Sequence, residues 1–174
     1  MGMMKLGIST GLVLALAACG SGDGGTAEQA AAPAEVPATL AAGLYEVSAE
    51  VTQLASTDRT TPATKLKQGD KQSIKACVSA DGKPEPKLLA ENGDDCQVKS
   101  SYIRNGRMSA EMSCTREGMA GSVMPAMNGS FTADGFEGEI TTLTYFIKDG
   151  DYRLTRKVTA KRVGDCPAGG AATS

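Results

Sequence analysis

The sequence predicts an all-β domain, and three observations carry that expectation. Apolar and polar residues alternate over several segments, Gly paired with Asp or Asn punctuates them, and no long 3.6-residue periodicity occurs between residues 42 and 167. This spacing predicts an antiparallel meander of about seven or eight strands, curling into a barrel-like or strongly curved sheet, since an open meander of that length exposes its edges.

The first strand is LYEVSAEVTQL, residues 44–54. Tyr45, Val47, Ala49 and Val51 share one face, with Glu46, Ser48, Glu50 and Thr52 on the other. Residues 55–70 are polar and turn-rich and read as a loop. KQSIKACV, 71–78, places Ile74, Ala76 and Val78 on one side. Residues 79–95 read as a second loop, with one helical turn around Lys87–Glu91.

Two hairpins follow. In Cys96–Cys114, a three-residue loop Arg104-Asn105-Gly106 with Gly106 left-handed opposes Tyr102 to Met108, Ser100 to Ala110, Val98 to Met112 and Cys96 to Cys114. A two-residue Asn-Gly loop shifts the register by one and mixes the faces, so the longer loop is preferred. The second hairpin turns at Asp149-Gly150, opposing Ile147 to Tyr152, Tyr145 to Leu154 and Thr141 to Val158. Arg153, Thr155, Lys157, Thr159 and Lys161 then line a solvated face. Between the hairpins, Ala133-Asp134-Gly135-Phe136 joins residues 121–132 to 137–146.

The amino terminus reads as an address. Met1 to Lys5 carries one positive charge, and Leu6 to Ala18 is an apolar run too short to span a bilayer, which needs about 20 residues. It ends in Leu16-Ala17-Ala18-Cys19, which resembles a bacterial lipobox. The expected organisation is a signal peptide over 1–18 and an acylated Cys19 with a flexible tether over 19–41. A single β-domain follows over 42–167, then a disordered tail over 168–174. Several acyl chains on Cys19 give stable anchoring where one is marginal. Gly20 follows Cys19, with no Asp there for inner-membrane retention, so the periplasmic face of the outer membrane is the expected location.

Cys77, Cys96, Cys114 and Cys166 remain, and four cysteines allow three pairings. The hairpin register selects Cys96–Cys114, leaving Cys77–Cys166, as structural disulfides in an oxidising compartment.

Composition excludes several function classes. Among 174 residues there is no histidine and no tryptophan, and 18 basic residues face 20 acidic ones. Without histidine there is no Ser-His or Cys-His catalysis and no imidazole metal site. A net charge of -2 with 4% aromatic residues leaves no electrostatic or stacking footprint for nucleic acid. Met108, Met112, Met119, Met124 and Met127 offer thioethers but read as core filling rather than a copper site. Asp94-Asp95 and Asp149-Gly150-Asp151 read as turns rather than cation ligands. The stripe Arg153, Lys157, Lys161 and Arg162 reads as a solvated strand face. No catalytic residue, metal or cofactor is expected.

The order Gly43-Leu44-Tyr45-Glu46-Val47, Cys77, Asn92-Gly93-Asp94-Asp95-Cys96, the Asn105-Gly106-Arg107 hairpin ending at Cys114, and Arg162-Val163-Gly164-Asp165-Cys166 resembles a family. It is the group of small Gram-negative lipoproteins and periplasmic proteins catalogued as a domain of unknown function. Tyr45 stands where that pattern has Trp. The resemblance covers about 43–166 and implies a fold and a location but no reaction. The expected role is a non-enzymatic, lipid-anchored binding or envelope-structural module for a small hydrophobic ligand on the apolar sheet face. The alternative is a partner-binding or inhibitory module acting on an envelope protein.

Overall fold

The computed structural model describes residues 37–167. The signal segment, Cys19, the tether as far as residue 36 and the tail 168–174 lie outside the described residues. Seven strands follow in chain order: β1 (Gly43–Ser56), β2 (Lys71–Val78), β3 (Asp94–Arg104), β4 (Arg107–Arg116), β5 (Met119–Phe131), β6 (Gly135–Phe146) and β7 (Tyr152–Gly164). They form one antiparallel sheet in the order β2-β1-β7-β6-β5-β4-β3, curled into a half-barrel. Strands β3 to β7 are a meander, and β1 returns to pair with β7.

The period-2 alternation becomes two faces. Tyr45, Val47, Ala49 and Val51 of β1, Met108, Ala110, Met112 and Cys114 of β4, and Leu154, Val158 and Ala160 of β7 are buried on the concave side. Phe131 and Phe136 oppose one another across β5 and β6, and the Tyr45 ring stacks on Phe136 at 6.0 Å. The Tyr45 hydroxyl donates to the Ala41 carbonyl at 2.8 Å, so its one polar atom is satisfied. Leu40 is buried in this core, and Asn105 N–H donates to the Ala38 carbonyl, so the packed chain begins upstream of the expected boundary at residue 42.

Edges β2 and β3 share no ladder. The segment between them packs against both strands through a 3-10 turn, Pro86–Leu88, and buries Leu88, Leu89 and Ala90. This turn stands where sequence predicts a helical turn at Lys87–Glu91.

Two register expectations are corrected. The β3–β4 hairpin turns in two residues, Asn105 and Gly106, with φ of 52° and 73°. Two positive φ values in sequence match the twist of the flanking strands, which is why Asn-Gly favours this turn. Ile103 therefore opposes Met108, and Tyr102 opposes Ser109 and is 53% exposed. A bulge between Val98 and Ser100 then inserts one residue, which restores Val98 opposite Met112 and Cys96 opposite Cys114. The expected register holds at the cysteine end and fails at the turn.

In the β6–β7 hairpin, Leu154 opposes Thr142 instead of Tyr145, and Val158 opposes Gly138 instead of Thr141. The connection runs from Ile147 to Asp151 and is longer than a two-residue Asp-Gly turn. Side chains hold it open. The Asp151 carboxylate accepts from Phe146 N–H at 2.7 Å and from the Thr144 hydroxyl at 3.0 Å. The Asp58 carboxylate accepts from Gly150 N–H at 2.7 Å and Asp151 N–H at 2.9 Å. An odd shift of three flips β6: Ile140, Thr142 and Thr144 face inward, while Tyr145 and the 81% exposed Ile147 face solvent.

Candidate functional site

The half-barrel places its buried charges at one end. Alternation along β7 puts Arg156 on the concave face with Leu154 and Val158, and it is 1% exposed. Its guanidinium donates from Nη1 to the Ala90 carbonyl at 3.1 Å and from Nη2 to the Leu89 carbonyl at 2.6 Å. Arg116 lies at the end of β4, where the strand meets the β1–β2 loop. It donates from Nε to Asp94 Oδ1 at 2.7 Å, from Nη2 to Asp94 Oδ2 at 3.0 Å and to Glu91 Oε2 at 3.2 Å. Its Nη1 donates to the Tyr152 hydroxyl at 2.8 Å and to the Ala63 carbonyl at 3.1 Å. The Tyr152 hydroxyl in turn donates to the Glu91 carboxylate at 3.1–3.2 Å.

Two arginines and two carboxylates balance, and almost every polar atom has a partner, which is the condition for keeping such charges out of water. The network ties Ala63 of the β1–β2 loop and the segment Leu89–Asp94 to β4 and β7. Burial raises the Glu91 pKa against the opposing pull of Arg116 and Arg156, with Asp94 adding to the rise. Burial likewise raises the Tyr152 pKa and lowers that of Arg156.

A pH prediction follows. Folded Glu91 holds its proton more tightly than the unfolded chain does, so its contribution makes stability fall as pH rises through the window above 4.5. Glu91→Gln removes a titrating group while keeping an amide that can still meet Arg116 and Tyr152. The urea midpoint of the variant relative to wild type is expected to rise between pH 4 and pH 7. A difference that stays constant over that range means Glu91 does not titrate as its burial requires.

Beside this network lies a cleft of about 650 Å³, lined by Pro62, Lys65, Leu66, Gln72, Glu91 and Asn92 among others. A second, of about 430 Å³, shares Glu91 and Asn92 and extends along Ser73, Ile74 and Lys75 of β2. The second follows β2 over Ser73–Lys75, and the first meets β2 at Gln72. The Gln72 Oε1 atom is buried there without a hydrogen-bond partner.

The sequence candidates separate in space. Met108, Met112 and Met127 are core residues, Met124 projects to solvent and Met119 is half-buried. Asp94 is held by Arg116, Asp95 is exposed, and Asp151 is a loop acceptor. Among the described residues no three of Cys, Asp and Glu gather as metal ligands. Arg153, Lys157 and Lys161 stand on the convex face, where Lys157 lies between Glu139 and Glu50 and Lys161 opposes Glu46. Arg162 departs from this stripe and donates to the Ala42 carbonyl and to Asp165. Cys96–Cys114 and Cys77–Cys166 are within bonding distance, with Cα separations of 4.0 and 5.8 Å. Sequence reasoning missed Arg156, Arg116, Glu91 and Tyr152 as a group. The one available signal was Arg156 at an inward position of a strand otherwise apolar on that face.

A family model described as a protein of unknown function, DUF3617, matches residues 40–166. The chain belongs to the DUF3617 family. The match starts at Leu40 and ends at Cys166, so the DUF3617 domain includes the buried Leu40 and all four paired cysteines. No curated protein and no solved structure matches the chain. Among the described residues of the DUF3617 domain, no helix is long and apolar enough to cross a membrane.

Proposed function

We propose that the chain is a lipid-anchored, non-enzymatic module of the periplasmic face of the outer membrane, and that it binds a protein partner. The run Leu6–Ala18 ending in Leu16-Ala17-Ala18-Cys19 supports the anchor, with acylation at Cys19. The observation that favours a protein partner over a small hydrophobic ligand is the packing of the concave face. Tyr45, Phe131, Phe136, Met108, Met112 and Met127 fill it together with Leu88 and Leu89 from the connecting segment. The clefts beside Glu91 open at the surface, and β2 and β3 are the outer strands of the sheet. A half-barrel filled by its own side chains while its strand edges stay open is built to meet polypeptide rather than a lipid tail.

The test is crosslinking of the full chain in intact envelopes, followed by mass spectrometry. A stoichiometric envelope protein is expected. Recovery of the chain alone, or native mass spectra carrying a bound hydrophobic small molecule, overturns the reading.

A further inference from the structure

We infer that the uncovered part of the β2 edge, Lys71–Lys75, takes an extended acidic segment of the partner, added as an eighth strand beside Ser73 and Lys75. This rests on the partner-binding reading above and names its surface.

The backbone groups that would form the new ladder can be assigned. Val51 N–H donates to the Asp70 carbonyl, which begins the β1–β2 ladder. Bonded pairs recur at every second position, so Gln72, Ile74 and Ala76 bond to β1. Lys71, Ser73, Lys75 and Cys77 then direct their N–H and C=O groups away from β1. The Cys77 carbonyl accepts from Glu85 N–H, as this alternation requires. Ser73 and Lys75 thus turn their backbone groups toward the second cleft. The β1–β2 register is regular over its whole length.

Edge β3 is less suited. Its bulge between Val98 and Ser100 interrupts the row, and Lys99 sits in the bulge, two features that blunt strand addition. Both its ends are occupied, since Asp94 N–H donates to Glu91 and the next residue beyond β3, Asn105, donates to Ala38, whereas β2 is covered at Cys77 and Val78 and not over Lys71–Lys75.

Charge selects the occupant. Lys65, Lys75 and Lys87 line the clefts. Lys75 reaches Glu46 only at 4.0 Å on an exposed face, and Lys87 reaches Glu85 at 3.4 Å. The carboxylates lining the clefts, Glu91 and Asp94, face Arg116, while Lys65, Lys75 and Lys87 are exposed and the pairs of Lys75 and Lys87 lie in water, where an incoming carboxylate can compete for them. An acidic side chain would meet them.

The probes are two short peptides, one alternating Glu with Val and one alternating Lys with Val, offered to the full chain. The Glu peptide is expected to bind, to slow amide exchange at Ser73 and Lys75, and to weaken with added salt, while the Lys peptide binds at least about tenfold less well. Ser73→Pro removes an outward N–H without breaking the β1–β2 ladder and abolishes binding. Lys75→Glu, which leaves the backbone untouched, weakens it about tenfold. Equal binding of the two peptides, protection in β3 in place of β2, or no binding of the Glu peptide overturns the assignment. Both variants are then taken into the envelope crosslinking. Retained capture of the wild-type partner by Ser73→Pro and Lys75→Glu sinks the β2 edge alone and leaves the partner-binding module standing. Absence of any partner with the wild-type chain sinks both.

Discussion

Arg116→Met unfolds the domain at much lower denaturant than wild type, with a loss of about 3–5 kcal/mol, because it leaves buried carboxylates without their cation. Arg116 is 15% exposed, Glu91 4% and Asp94 0% by side chain, so water replaces little of what the guanidinium supplies. The same change unties Ala63 and the Tyr152 hydroxyl. It also removes the cation that lies 5.9 Å from the rings of Phe146 and Tyr152. The triple variant Arg116→Met, Glu91→Gln, Asp94→Asn recovers part of the loss, since it removes the stranded charges along with their partner. Urea unfolding followed by tyrosine fluorescence measures both. A single-variant loss below about 1 kcal/mol means the network is solvated and behaves as a surface pair.

Removing the Cys77–Cys166 link costs more than removing Cys96–Cys114. The first closes 89 residues and the second 18, so restriction of the unfolded chain gives about 4.5 and about 3 kcal/mol. Cys166 follows the end of β7 and Cys77 sits near the end of β2, with β1 between the two strands, so the link holds three strand ends together at one rim. The comparison uses the paired Cys→Ala variants in oxidising buffer, with wild type in reductant as the sum. If the Cys96/Cys114 variant proves the less stable of the two, chain restriction is not how these bridges act, and native-state packing of the buried Cys114 dominates.

Much of this architecture was legible before the structure. The β1 face of Tyr45, Val47, Ala49 and Val51 could be read because alternation is local, with each residue's side set by its neighbours. The pairing of Cys96 with Cys114 was correct even though its hairpin turn was not. One residue gained in the tight Asn105-Gly106 turn is offset by one residue inserted at the bulge, so two errors of opposite sign cancel before the cysteines. The second hairpin has no such compensation. Asp149-Gly150 carries the composition of a two-residue turn, but Asp58, 92 residues away, binds the backbone of Gly150 and Asp151 and keeps the loop long.

The candidate site was less legible, for the same physical reason. Arg156 donates to carbonyls 66 and 67 residues away, and Arg116 reaches Ala63 across 53. A charged residue at an inward strand position signals a partner, but sequence spacing does not say which one. By itself the sequence determined the strand class, the buried faces of β1, β4 and β7, the cysteine pairs and the family. Those follow from period-2 patterning and turn chemistry, which act over a few residues. The tertiary structure alone decided the register at two turns, the filled concave face, the buried ion network and the open edge of β2. Those depend on which distant side chains satisfy which backbone groups once the sheet has curled.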